Sequence, residues 1–212
     1  MYNALRDRFD TATRNIAVVQ GCRPRPAPLG HAGPVEHPVG VTAWGSSVYG
    51  DPCRECGYAW SIEPADAIAL IAATPERLAA VLDGDDGTTR GAGLDWSTGA
   101  YACHVADNLR IWAERLAGSA CRSPVVVVPY DADVLARARR YESIGIDAAL
   151  WSVARATADW SEAVERAANA GSTLLHPERG ELQVIDVVRT NAHDAHHHAW
   201  DIGRILAAPS RP

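Results

Sequence analysis

The segment Asn191-Ala-His-Asp-Ala-His-His-His-Ala-Trp-Asp201 holds the residues of this chain that are best suited to chemistry. Four of the eight histidines lie within six consecutive positions of it. No proline or glycine interrupts the segment, so we predict that it belongs to one helix over residues 183–206. Residues four apart share a helix face, which places His193 beside His197. Two imidazoles at this spacing can bind one metal ion, and a third ligand from elsewhere would leave coordination positions open.

A helical projection separates the four histidines of this segment. The apolar stripe of the helix is defined by five residues: Ile185, Val188, Ala192, Ala199 and Leu206. At about 100° per residue, His193 and His197 lie beside this stripe, where a cavity inside a bundle would open. His196 lies closer to the stripe and is interpreted as a packed or supporting residue. His198 and Asp194 point away and are interpreted as surface residues.

The third ligand must come from another part of the chain. His31 and His37 lie in a Pro-rich segment, and His176 precedes a proline in a predicted loop. His104 lies in the first half of a predicted helix, where it can face a histidine pair on a neighbouring helix. The alternative role for His104 is a histidine at the edge of the core that bonds a backbone carbonyl.

A second group of candidate ligands lies in Asp51-Pro-Cys-Arg-Glu-Cys-Gly57. Cys53 and Cys56 have the spacing of a zinc knuckle, and the glycine permits a tight turn around an ion. Three alternatives stay open: half of an accessory zinc site completed by histidines or by Cys22, a redox dithiol, or two cysteines packed at a turn. Because the knuckle precedes the first bundle helix, it could also reach the main metal site. The five cysteines are odd in number and unevenly spaced, which favours reduced thiols or a metal site over a disulfide framework.

Helical periodicity dominates the chain after residue 51. Helices are predicted over residues 65–82 (interrupted near Thr74-Pro75), 97–116, 147–168 and 183–206, with Gly118 as a stop signal for the second. The β-branched run Val125-Val-Val-Val-Pro129 is interpreted as an extended connection because a single run cannot form a sheet. We therefore predict an all-α four-helix bundle over residues 51–208. Residues 1–50 form an irregular Pro- and Gly-rich N-terminal extension.

Charge and composition narrow the function classes. The chain has 212 residues and a formal net charge of −6. We find no Arg-rich patch with interleaved aromatics, which argues against a nucleic-acid partner. No apolar run approaches membrane-spanning length, and the N-terminal residues lack an apolar signal core, so we expect a cytoplasmic protein without a membrane partner.

Several segments, taken in order, resemble the DinB/YfiT-like superfamily. The segment from Asp95 to Leu116 contains a Trp-Ser step before a helix with a His-x-x-Asp element, and His193-Asp-Ala-His-His197 resembles the His-x-x-x-His of the last helix of that family. Val128-Pro-Tyr-Asp-Ala-Asp133 and residues 141–150 resemble its middle part. The resemblance covers residues 62–207.

This resemblance implies a metal-dependent four-helix bundle with His104, His193 and His197 as the metal ligands. Zinc is the favoured metal, and three imidazoles also accept nickel, iron or manganese. Characterised relatives include mycothiol-dependent maleylpyruvate isomerase and bacillithiol or mycothiol S-transferases, in which the metal stabilises a small thiol as thiolate. We thus expect an enzyme that uses a low-molecular-weight thiol, mycothiol in particular, for S-transfer or thiol-assisted isomerisation of a small electrophile. A homodimer is expected by the same resemblance.

Two alternatives stay open for the function. One is a non-catalytic metal-binding stress or interaction protein, and the other is a hydrolase in which the metal activates water instead of a thiol. Asp107 and Asp201 each lie one turn from a predicted ligand and are candidates to orient it, although solvated carboxylates are the favoured interpretation of both. Trp44 and Trp60 are candidates for the walls of a substrate pocket, with packing as the favoured role.

Overall fold

The computed structural model describes residues 44–208, which belong to one compact unit. Most of the predicted N-terminal extension lies outside the described residues, as do Cys22, His31 and His37. The helices are α1 (Ser46–Tyr49), α2 (Pro64–Ala72), α3 (Thr74–Val81), α4 (Thr98–Cys121), α5 (Ala132–Arg139), α6 (Ile146–Asn169) and α7 (Val184–Ala207), and the strands are β1 (Val125–Val126), β2 (Thr173–His176) and β3 (Gly180–Gln183).

The long helices form the predicted four-helix bundle, with α2 and α3 together serving as its first arm. The predicted interruption near Thr74 is confirmed, because α2 ends at Ala72 and α3 begins at Thr74 with a proline in its first turn. Helix α4 packs mainly against α6, and α7 packs against α2 and α4. Trp160, Leu109 and Ile202 are among the largest fully buried side chains at these contacts. The bundle core thus lies directly beneath the histidine-bearing face of α7.

Helix α4 begins as predicted but ends later. Ser97 caps it, since its Oγ accepts a hydrogen bond from the backbone N–H of Ala100 at 3.2 Å. The predicted stop at Gly118 is wrong, because the helix continues to Cys121. A glycine inside a helix costs about 1 kcal/mol. Burial of Leu116 and Ser119 on either side of Gly118 offsets this cost.

A small three-stranded sheet corrects the interpretation of the valine run as an unpaired connection. β1 pairs in parallel with β2, which pairs in antiparallel fashion with β3. The two partner strands are only four residues long and gave no strand signal of their own. The sheet matters for the site because β3 leads directly into α7, so the hairpin places residues 177–179 beside the start of that helix.

Helix α7 is covered on more than one side. Gln183 and Asp186 form a capping box at its start, in which the Gln183 backbone N–H donates to Asp186 Oδ2 at 2.9 Å. Buried positions of α7 include Val187, His193 and Asp201 as well as the apolar stripe. The polar residues of this helix are therefore enclosed, and a single buried stripe does not describe it. Among the described residues, no helix combines the length and apolar character needed to cross a membrane.

Candidate metal centres

Among residues 44–208, the potential metal ligands form two clusters on two faces of α7. In each cluster, one ligand atom per residue lies within 4.8 Å of the others. The Cys–His cluster consists of Cys53, Cys56, His193 and His197. The His–Asp cluster consists of His104, Asp194 and His198. On α7, His193 and His197 are four residues apart, and so are Asp194 and His198. The second pair is shifted by one residue along the helix from the first.

This grouping differs from the predicted set of His104, His193 and His197. His193 and His197 do lie together, but the structure unites them with the knuckle cysteines. His104 belongs to the other cluster. The interpretation of Asp194 and His198 as outward-pointing surface residues is corrected. Asp194 and His198 are four residues apart, which is the spacing of two ligands on one helix face. Treating carboxylates as well as imidazoles as candidate ligands would have identified this pair from the sequence.

The His–Asp cluster has the spacing of a metal site. Asp194 Oδ1 lies 3.5 Å from His104 Nε2 and 3.6 Å from His198 Nε2. These distances are too long for strong hydrogen bonds. They match the separation of about 3.4 Å expected for two ligand atoms bound tetrahedrally to one ion with bonds of about 2.0–2.1 Å. The three donors therefore fit a divalent cation between them.

Helix α4 and the loop after β1 hold the Asp194 carboxylate in this orientation. Asn108 Nδ2 donates to Asp194 Oδ2 at 2.7 Å. Asn108 Oδ1 accepts in turn from the Tyr130 hydroxyl at 3.1 Å. Because Oδ2 is occupied by this amide, Oδ1 is the oxygen that faces both imidazoles.

Asp201 supports the same cluster from behind. Its Oδ2 lies 3.0 Å from His198 Nδ1, and Arg204 donates to its Oδ1 at 2.8 Å. A histidine whose outer nitrogen bonds a carboxylate has its other nitrogen fixed for metal binding. Asp201 is 3% exposed, so the expectation of a solvated carboxylate is corrected.

The electrostatics of the His–Asp cluster favour a cation. Although burial alone would lower the pKa of His198, Asp194 and Asp201 raise it to about 9. Burial alone would raise the pKa of Asp194, but His104 and His198 hold it well below its usual value. Two carboxylates thus stabilise positive charge at the position where a divalent ion would be bound.

The Cys–His cluster is built from the loop after α1 and from α7. His197 Nδ1 lies 3.9 Å from Cys53 Sγ, and His193 Nε2 is buried without a hydrogen-bond partner among the described residues. Burial and, to a smaller extent, the neighbouring His197 together lower the pKa of His193 to about 4. His193 is therefore neutral near pH 7, as a metal ligand must be.

Cys53, Cys56 and Cys103 are free thiols, whereas Cys121 is disulfide-bonded, which the cysteine pattern did not predict.

His196 supports the knuckle loop rather than joining a cluster. Arg77 Nη1 donates to its Nδ1 at 2.8 Å, which leaves Nε2–H to donate to the Cys56 carbonyl at 3.1 Å. With both ring nitrogens engaged, His196 has none to offer a metal. This agrees with its interpretation as a supporting residue.

Two cavities meet at Asp194. The first, of about 310 Å³, is lined by Trp44, Trp60 and His193 as well as Asp194. The second, of about 220 Å³, is lined by Arg115 and residues of α4 and β2. Both share Glu178, Arg179, Thr190 and Asp194. A small molecule in either cavity would therefore touch a residue of the His–Asp cluster.

A larger and more open cavity, of about 610 Å³, lies on the other side of Trp96. Its lining includes Arg90, Arg137 and Arg140 but, within the described chain, no member of either cluster. Trp96 separates it from His104, whose ring centre is 5.0 Å from that of Trp96. The cavities that adjoin a potential metal ligand are therefore the two smaller ones around Asp194.

Asp107 was a candidate to orient His104, but its carboxylate contacts Tyr141 and Arg139 instead. The carboxylate is buried, accepts from the Tyr141 hydroxyl at 2.6 Å and pairs with Arg139 at 2.8 Å. It therefore ties α4 to the segment after α5, and the expectation of a solvated carboxylate is corrected.

Asp107→Ala is expected to lower the free energy of unfolding by about 1–3 kcal/mol, because it leaves a buried hydroxyl unpaired. Metal content should not change. Urea denaturation and elemental analysis measure the two effects. Glu114→Ala is the matched control, since Glu114 pairs with Arg110 on the same helix but is 65% exposed. Its effect should stay within about 0.5 kcal/mol. Loss of metal from Asp107→Ala would place Asp107 in the metal site instead.

The fold is a four-helix bundle that brings histidine, cysteine and aspartate side chains close enough together to hold a metal ion. These features are typical of metal-binding helical proteins. The chain belongs to the DinB superfamily, whose family model matches residues 4–202. This confirms the resemblance and the fold predicted from the sequence.

A solved structure with the same fold is that of YfiT from Bacillus subtilis, described as a probable metal-dependent hydrolase with an unusual four-helix bundle topology. The match has a TM-score of 0.59 and 16% sequence identity, and covers 68% of this chain and 88% of that chain. At this identity the likeness concerns the fold. No curated protein matches this chain significantly.

Proposed function

We propose that this chain is a metal-dependent enzyme whose centre is formed by His104, Asp194 and His198. The single observation that carries the proposal is the convergence of two imidazole nitrogens on Asp194 Oδ1, at 3.5 and 3.6 Å, beside two cavities. Two histidines and one carboxylate leave coordination positions open, as in catalytic sites. Zinc is the favoured metal, and iron(II) also suits this donor set.

When bound at this centre, a divalent cation would stabilise the deprotonated form of a small nucleophile at neutral pH. Asp194 and the two histidines would hold the ion, with Asn108 and Asp201 fixing the directions of Asp194 and His198. The aromatic side chains of Trp44, Tyr49 and Trp60 line the adjoining cavity and would exclude water from it.

The charge of the two cavities favours a substrate with an anionic group. Arg179 lines both cavities, and Arg115 lines the second. Each guanidinium packs over a tryptophan ring. The distance from Cζ to the ring centre is 4.8 Å for Arg179 over Trp44 and 4.5 Å for Arg115 over Trp112. These contacts hold both cations at the cavity wall. Glu178 and Asp194 line the same cavities, so the guanidinium groups favour an anionic group of the substrate once a bound cation neutralises Asp194.

The proposed nucleophile is a low-molecular-weight thiol, mycothiol in particular, acting on a small electrophile. The support for this choice is the resemblance of the helix motifs to thiol-dependent members of the superfamily. Water is the second candidate, favoured by the description of YfiT as a probable metal-dependent hydrolase. A cytoplasmic location and a homodimer stay predictions.

The test combines elemental analysis with calorimetric titration of mycothiol into wild type and His104→Ala. We expect wild type to bind mycothiol and His104→Ala to lose both the metal of this centre and the thiol binding. A metal-loaded protein that does not bind the thiol would exclude the thiol-dependent enzyme and favour hydrolysis. A His104→Ala variant with undiminished metal would overturn the proposed centre. Retention of metal with no activity on either class of substrate would favour a non-catalytic metal-binding protein.

A further inference from the structure

We propose that Cys53, Cys56, His193 and His197 bind a second metal ion, a structural zinc that fastens the knuckle loop to α7. This site is separate from the proposed catalytic centre and does not depend on it. It would hold the segment of residues 44–60, with its aromatic side chains, as the wall of the first cavity.

The donor set is that of a closed zinc site. Two thiolates and two imidazoles around one ion form a tetrahedral site with no open position. Bonds of about 2.3 Å to sulfur and about 2.0 Å to nitrogen separate such donors by about 3.5 Å in a tetrahedral site. The observed distance from Cys53 Sγ to His197 Nδ1 is 3.9 Å. A small inward shift would therefore suffice to enclose an ion.

The two histidines are prepared for this role in different ways. His197 Nε2 lies 3.2 Å from Glu55 Oε2, so a proton on Nε2 leaves the Nδ1 lone pair facing the cysteines. Such a carboxylate behind a histidine ligand is typical of metal sites. His193 is 6% exposed, and its Nε2 has no hydrogen-bond partner among the described residues. An unpaired buried nitrogen is costly unless something binds it, and a metal ion would do so.

The knuckle loop has the turn that such a site requires. The Gly57 backbone N–H donates to the Cys53 carbonyl at 2.9 Å, and the Cys53 N–H donates to the Tyr58 carbonyl at 2.8 Å. Gly57 has φ of 73°, a left-handed conformation that favours glycine. These bonds curl the loop so that both cysteines face α7.

The position of the cluster explains the structural role. His193 is surrounded by the rings of Tyr49, Tyr58 and Trp60, with ring centres 4.8, 5.3 and 4.5 Å away. Tyr49 and Trp60 also line the first cavity. An ion bound to both the loop and α7 would therefore fix the cavity wall, across a sequence separation of more than one hundred residues.

The test is elemental analysis of wild type and the double variant Cys53→Ser/Cys56→Ser, with Cys103→Ala as the matched control. Cys103 is a free cysteine that is buried like Cys53 but belongs to neither cluster. We expect the double variant to lose one equivalent of zinc and Cys103→Ala to lose none. Asp194→Ala should keep this zinc, which separates the site from the catalytic centre. Undiminished zinc in the double variant would overturn the proposal.

Two further measurements keep the test decisive if the double variant does not fold. In the wild type, a strong chelator should expose two additional thiols to a thiol reagent, and cobalt in place of zinc should give an intense sulfur-to-cobalt absorption. The single variant Cys56→His should keep the ion with a weaker absorption of this kind. Thiols equally reactive with and without chelator, or cobalt without the sulfur band, would contradict the site.

Amide hydrogen exchange over residues 44–60 should rise on zinc removal, and unchanged exchange would refute the structural role.

Discussion

Replacing Asp194 with alanine is expected to abolish metal binding at the His–Asp cluster and, with it, the proposed activity. Asp194 supplies the one oxygen that faces both His104 and His198, at 3.5 and 3.6 Å. Without it, two imidazoles remain as ligands and no carboxylate of the cluster binds the ion directly. The loss in affinity should exceed the factor of about 10–100 that is typical for residues that only support a ligand. Titration of zinc or cobalt into chelator-treated protein measures the affinity of each site.

Two further substitutions at this position distinguish a metal ligand from a packing residue. Asp194→His should retain most of the metal affinity because an imidazole can take the place of the carboxylate as ligand. Asp194→Asn has the shape of the original side chain but lacks its charge, so it should lose the metal. Glu114→Ala serves as the control for an exposed carboxylate on α4. If Asp194→Asn binds metal as tightly as wild type, Asp194 is not a ligand.

Replacing Asp201 with asparagine is expected to weaken both metal sites, each by about 10–100-fold. One oxygen of Asp201, Oδ2, lies 3.0 Å from His198 Nδ1 and 3.7 Å from His197 Nε2. Asp201 therefore stands behind a ligand of each cluster, and its charge makes both histidines better donors. The asparagine side chain keeps the size of the carboxylate but removes this charge. Metal titration followed at both sites, with the sulfur-to-cobalt band reporting on the cysteines, measures the effect.

Arg204→Ala is the control for Asp201, because Arg204 bonds the other oxygen and touches neither cluster's histidines in the described contacts. Its effect on metal affinity should be much smaller. If Asp201→Asn lowers the metal affinity of the His–Asp cluster alone, the contact of Asp201 with His197 at 3.7 Å does not affect metal binding. Glu55 would then be the carboxylate that supports His197. An unchanged affinity at both sites would show that Asp201 has only a structural role.

The arrangement on α7 links these predictions. One helix carries two ligand pairs, His193 with His197 and Asp194 with His198, and the shift of one residue turns them toward different neighbours. The knuckle loop covers the first pair and α4 covers the second. Asp201 contacts one histidine of each pair, so we expect coupling between the two sites to pass through this carboxylate.

The sequence by itself determined the bundle and the positions of most of its helices. Periodicity, the break near Thr74 and the Ser97 cap predicted three of its arms closely, because these are local signals that depend on neighbours along the chain. It also identified Cys53, Cys56, His104, His193 and His197 as candidate ligands. The β2–β3 hairpin was missed because four-residue strands become visible only through their partners.

Only the tertiary structure decided which ligands belong together. The helical projection assumed a single buried stripe on α7 and therefore assigned Asp194 and His198 to the surface. In the fold, the knuckle loop and α4 cover two different faces of that helix, so His193 is buried and Asp194, about 100° round the helix, is half-buried. Helical spacing predicts which residues of one helix share a face, but the packing of other elements decides what each face meets. For that reason His104 lies with Asp194 and His198, and the cysteines lie with His193 and His197.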